Sequence, residues 1–196
     1  MVRVFSSSAA RWPRTLWLVA LWLGLASTGA TGWEPQGLRS VVAETRDGQR
    51  LVLGTVHFEP QADGSVAFRL DMDHARFTDH FLSMKEFKCL EGGGEVVCHV
   101  PYPYPNPHRV TARDLSWLEH DLLFLFKLPS EFGAKLWNGL YYRLELTPQG
   151  LVGRPQAVDL NLISAPPAQT DRPPYRPALR DDIAPGARWI ERLVIE

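Results

Sequence analysis

Residues 65–73 alternate without a break: Val66, Phe68, Leu70 and Met72 fall on one side, and Ser65, Ala67, Arg69, Asp71 and Asp73 on the other. A period of two over nine residues predicts a strand with one buried face. Residues 50–59 show the same rhythm with Val52, Val56 and Phe58 on the inner face, and residues 38–44 form a shorter candidate. Asp47-Gly48 and residues 60–64 supply the turns between them.

The next pair of strands can be aligned residue by residue. Cys89 and Cys98 flank Leu-Glu-Gly-Gly-Gly-Glu-Val-Val. A two-residue turn at Gly93-Gly94, whose central residues need positive φ, pairs Gly92 with Glu95. Counting outward, Glu91 faces Val96, Leu90 faces Val97, and Cys89 faces Cys98. The alternation of pairs puts the cysteines at a non-hydrogen-bonded position, where Cα atoms approach to about 4.5 Å, within disulfide reach. A disulfide is therefore expected between the only two cysteines of the chain.

Beyond this hairpin, Pro101-Tyr102-Pro103-Tyr104-Pro105-Asn106-Pro107 lacks an N–H at every second residue, which predicts an extended connector outside any sheet interior. Thr111 followed by Asp114 predicts a helix N-cap, with Leu115, Leu118 and Leu122 on one helical face. A strand is expected over residues 123–128. Residues 140–147 and 151–163 form a last hairpin, with Tyr142, Leu144 and Leu146 answered by Val158, Leu160 and Leu162, about a turn at Thr147-Pro148-Gln149-Gly150. Residues 164–196 read as a proline-rich arm whose apolar end docks on the body. Seven or eight strands, each with one apolar face, predict a mainly β domain over residues 33–163. The expected form is an antiparallel meander closed as a small barrel or packed as a two-sheet sandwich, with one short helix. The barrel is slightly favoured.

The N-terminus changes the setting. Residues 1–14 carry Arg3, Arg11 and Arg14 and no acid, residues 16–26 are apolar, and small residues follow, with cleavage expected after residue 30 or 32. These are the three zones of a secretory signal peptide. The apolar run is shorter than the roughly 20 residues that span a bilayer, so no transmembrane span is expected after cleavage. The expected location is outside the cytoplasm, periplasmic or secreted, where an isolated cysteine pair oxidises. Only four of the 21 basic residues are lysine, an arginine bias that points to a bacterium. Loss of the signal takes the net charge of −1 to −4, which excludes the basic face that nucleic acid requires.

Chemistry-bearing residues are sparse. Asp71, Asp73, His74 and His80 lie within ten residues and could supply a metal's ligands, although their spacing matches no named site, a calcium loop included. His57, His99, His108 and His120 read as structural or surface residues. No Gly-x-Ser-x-Gly, Ser-x-x-Lys or His-Glu-x-x-His occurs. Trp137, Asn138 and Tyr141 at a strand start, with Tyr102 and Tyr104 on the proline frame, are candidate ligand-binding residues.

Three readings follow. The first is a non-catalytic envelope module that binds a small apolar ligand or another envelope component. The second is a metal-dependent hydrolytic enzyme built on Asp71, Asp73, His74 and His80. The third is an assembly factor acting through the C-terminal arm.

Overall fold

The chain divides into two compact units, Met1–Ala30 and Thr31–Glu196. The computed structural model describes residues 1, 34–82 and 85–196. The signal sequence expected over residues 1–30 falls, Met1 apart, outside the described residues.

Among the described residues one antiparallel sheet accounts for the fold. Its strands are β1 (Gly37–Thr45), β2 (Arg50–Pro60), β3 (Val66–Met72), β4 (Thr78–Leu82), β5 (Lys85–Gly92), β6 (Glu95–His99), β7 (Arg109–Val110), β8 (Phe124–Lys127), β9 (Gly139–Thr147), β10 (Gly150–Val158), β11 (Asp181–Asp182) and β12 (Ile190–Ile195). They lie in the order β4-β5-β6-β8-β9-β10-β12-β1-β2-β3-β7, with β11 on β10. The end strands β4 and β7 do not pair, so the sheet is open. A single short helix, α1 (Ser116–Asp121), packs on β9 in the middle of that path and on β7 and β3 at its end. The sheet thus curls round α1 where a barrel would have closed by hydrogen bonds.

The hairpin β5–β6 forms in the register read from its turn: Gly92↔Glu95, Glu91↔Val96, Leu90↔Val97 and Cys89↔Cys98. Gly93 and Gly94 have φ of 57° and 80°. The Cys89–Cys98 disulfide is present, with a Cα–Cα distance of 3.9 Å. Gly92 is needed for a different reason from Gly93 and Gly94, a contact made from the other end of the chain. A Cβ there would come within 2.0 Å of the Trp189 ring, which packs directly on the turn.

Four local expectations are corrected. Val52 was expected inside, but β2 bulges between Val41↔Gly54 and Val42↔Val52. The extra residue, Leu53, is fully buried, and Val52 is 41% exposed, as a one-residue insertion requires. The helix begins at Ser116, because Asp114 Oδ1 accepts from the Ser116 N–H while the Thr111 hydroxyl accepts from Arg113 and Asp114. The last hairpin stops at Val158. There the Asp159 carboxylate accepts from the Asn161 N–H and starts a 3-10 turn, which buries Leu160 and Ile163 and turns Leu162 outward. The C-terminal arm, finally, ends as an interior element: β12 lies between β10 and β1, and Ile190, Leu193 and Ile195 are buried.

Candidate functional site

Among the described residues two neighbourhoods with buried ionisable groups adjoin hollows, and they are built differently; buried Glu95, elsewhere, accepts from the Trp189 N–H and pairs with Arg188. The first surrounds α1. Glu119, His120 and Asp121 are consecutive and all buried, and each holds a different segment. Next to α1 the strand β9 runs past the end of β8, which pairs with it only at Leu140 and Gly139. The Leu144 N–H is left without a strand partner, and Glu119 Oε1 accepts it at 2.6 Å. Glu119 Oε2 accepts from the Tyr141 hydroxyl. Burial raises the Glu119 carboxyl above its ordinary pKa and pushes the Tyr141 phenol far up. Asp121 accepts from Asn106 Nδ2 at 2.8 Å and lies 3.3 Å from His108 Nε2, which ties the proline connector down.

His120 is fully buried among Tyr102, Trp117, Tyr141 and Tyr175. Its Nδ1 meets the Ser116 carbonyl, which can only accept, so Nδ1 carries the proton. Its Nε2 accepts from the Tyr175 N–H. Both nitrogens are satisfied on a neutral ring, and burial lowers its pKa to about 4. Tyr175, stacked on His120, anchors the proline-rich segment. The adjoining hollow, about 700 Å³, is polar, and its charges balance: Arg113, Arg143 and Arg180 against Asp114, Glu119 and Glu145.

The second neighbourhood lies below the disulfide. The β5–β6 ladder stops at Cys89↔Cys98. From there β6 stays with β8 and then α1: Val100 N–H donates to Leu123 O, and Tyr102 N–H to His120 O. Pro101 and Pro103 have no N–H to offer β5. The two chains therefore part, and two adjoining hollows open between them. One, about 450 Å³, is lined by Leu82, Phe87, Val100, Pro101, Pro103, Tyr104, Ala134, Leu136, Leu160, Ile163 and Ser164. The other, about 280 Å³, shares Phe87, Val100, Pro101 and Pro103 and adds His74, Glu86, Lys88, His99 and Tyr102. The segments that wall the larger hollow also carry exposed apolar side chains. Phe132 is 98% exposed, Phe81 75% and Trp137 63%.

The residues singled out from sequence are distributed as follows. Tyr104 lines the larger hollow and Tyr102 the smaller, their rings edge-on at 5.6 Å. Trp137 is exposed beside the lining residue Leu136. Asn138 serves through its backbone, donating to Lys135 O and accepting from Phe126 N–H. Tyr141 is fully buried and belongs to the packing of His120, away from both hollows. Asp71 pairs with Arg69, Asp73 with Arg76, and His80 with Glu91. His74 stands apart from those three, with its ring 5.8 Å from that of His99. Among the described residues no three His, Cys, Asp or Glu side chains stand where they could hold one ion.

Glu119, Tyr175 and the spare nitrogen of His99 were not foreseen. The first carried a signal in the sequence: at 100° per residue Glu119 falls beside the stripe of Leu115, Leu118 and Leu122. No protein-family model matches the chain, and no curated protein and no solved structure is significantly similar to it.

Proposed function

We propose that the chain is an exported, non-catalytic binding module that takes a small apolar ligand into the 450 Å³ hollow below the disulfide. The observation that carries this reading is the lining. Every wall residue except Ser164 is apolar or aromatic, and the size falls in the range of ligand sites. Exposed Phe132, Phe81 and Trp137 on the same segments support it, since large apolar side chains left in water mark binding surfaces. Export is supported by the N-terminal pattern and by the disulfide, which needs an oxidising compartment.

The test is to purify the chain from a bacterial periplasm and compare native with denaturing mass spectra. A retained organic mass is expected. In parallel, an environment-sensitive apolar dye is titrated against wild type and Ala134→Phe, which fills the hollow. Loss of dye binding in the variant supports the reading. Equal dye binding by both proteins, or no retained mass and no dye binding at all, overturns it.

A further inference from the structure

The smaller hollow holds a donor that the apolar reading does not use. His99 is 8% exposed, walled in by Phe124 at 5.3 Å between ring centres. Its Nε2 lies 2.8 Å from the Asp121 carbonyl, which can only accept, so the proton is on Nε2. That leaves Nδ1 as a lone pair on a ring that lines the hollow, with no hydrogen-bond partner among the described residues. Beside it stands His74, whose exposed imidazole makes ring contacts with Phe77 and His99 and has no side-chain hydrogen bond among the described residues.

We propose that His74 and His99 together bind one borderline transition-metal ion, with Cu²⁺ the tightest of them. Two imidazoles that share an ion through metal–nitrogen bonds of about 2.0–2.1 Å keep their ring centres about 4.5–6.3 Å apart, depending on the angle at the metal. The observed separation is 5.8 Å, with the rings tilted by 44°. The Nε2–H to carbonyl bond of His99 is the contact that orients metal-binding histidines and fixes the metallated nitrogen. Neutral nitrogen donors favour Cu²⁺ over the other divalent ions of the first row. The remaining coordination positions fall to water or to an exogenous group, because Glu86, the nearest carboxylate of the hollow, pairs with Lys88 at 3.6 Å.

The experiment uses the full exported chain, stripped with chelator and titrated with Cu²⁺ against a glycine competitor. Binding is followed by isothermal calorimetry and by electron paramagnetic resonance. The expected result is one ion per chain with hyperfine splitting from two imidazole nitrogens. His74→Ala, a surface change that leaves the fold intact, lowers the affinity by roughly tenfold or more and leaves one imidazole in the spectrum. His80→Ala, on the neighbouring strand, changes neither. Absence of stoichiometric binding, or His74→Ala binding as tightly as wild type, overturns the proposal. Dye binding in the larger hollow is unaffected by His74→Ala, so the two sites fail or stand separately.

Discussion

Two buried histidines on either side of the β6–connector–α1 run differ in one bond. His120 spends both nitrogens inside the protein, one on the Ser116 carbonyl and one on the Tyr175 N–H. His99 spends one, on the Asp121 carbonyl. Both are buried, and burial lowers the pKa of each to about 4. Burial and a displaced pKa therefore do not distinguish a structural histidine from a candidate ligand here. The unspent lone pair does. The same contrast holds for the regions around them. Near α1 every ionisable group in the interior closes a specific gap in the backbone ladder or the chain path. Below the disulfide the strands part and leave room.

The closed region can be broken at Glu119. Glu119→Ala strips the acceptor from the Leu144 N–H and from the Tyr141 hydroxyl, both buried. At about 1–3 kcal/mol for each orphaned group, the loss is about 4 kcal/mol, measurable by urea denaturation. Glu119→Gln keeps an acceptor for the backbone and costs less than half of that. If Glu119→Ala unfolds at the wild-type urea concentration, its bonds to Leu144 and Tyr141 do not hold α1 on β9.

The contrast is sharpened by pH. The His120 pKa is about 4 in the fold, against an ordinary value near 6.5. Between those values the unfolded chain takes up a proton that the native ring refuses. Stability therefore rises with pH across this window and falls as pH drops from 6.5 towards 4, by about 3 kcal/mol for this one group. Glu119, raised by burial, works in the opposite sense. The measurement is accordingly the difference in slope between wild type and His120→Gln, which loses one proton of pH dependence. An unchanged slope means that His120 is not held neutral.

Much of this was legible locally and little of it at long range. The cystine hairpin could be read to the residue because Gly93-Gly94 fixes the register and parity does the rest. The bulge at Leu53 could not, since an inserted residue leaves the hydrophobic pattern nearly intact while inverting the face of what precedes it. The helix start moved because Thr111 and Asp114 each close a local side-chain turn ahead of it, so the N-cap falls at Leu115. The strand at the C-terminus was hidden behind a proline-rich stretch that looks like an appendage. Because β12 lies between β10 and β1, truncation at residue 164 removes an interior strand along with the arm. The hollows had no signature of their own. They arise where β6 keeps β8 and abandons β5, and that choice depends on partners more than twenty residues away, such as Leu123 for Val100.

The open region depends on the disulfide for one of its ends. Replacing both cysteines by alanine removes a cross-link spanning nine residues. On chain-entropy grounds the cost is about 2.5–3 kcal/mol, read as a shift in the urea midpoint. The same change frees β5 from β6 just above the hollow, so dye affinity falls together with stability. A stable double mutant with full dye binding would show that the strands are held apart by the connector alone.

The smallest effect on stability isolates the rim. Phe132 is 98% exposed and packs on nothing in the core, so Phe132→Ser changes the free energy of unfolding by less than about 0.5 kcal/mol. In the chain it lies between Glu131, which caps the Leu128 N–H and pairs with Lys135, and the lining residue Ala134. The loop that carries it is thus held in place without its help. If the apolar rim takes part in binding, dye or ligand affinity drops in Phe132→Ser while the melting curve stays put. Equal affinity would confine the site to the hollow itself and leave the exposed ring to some other contact. A shift in the melt would mean that the loop is anchored by Phe132 after all, and that the closed core extends outward to include it.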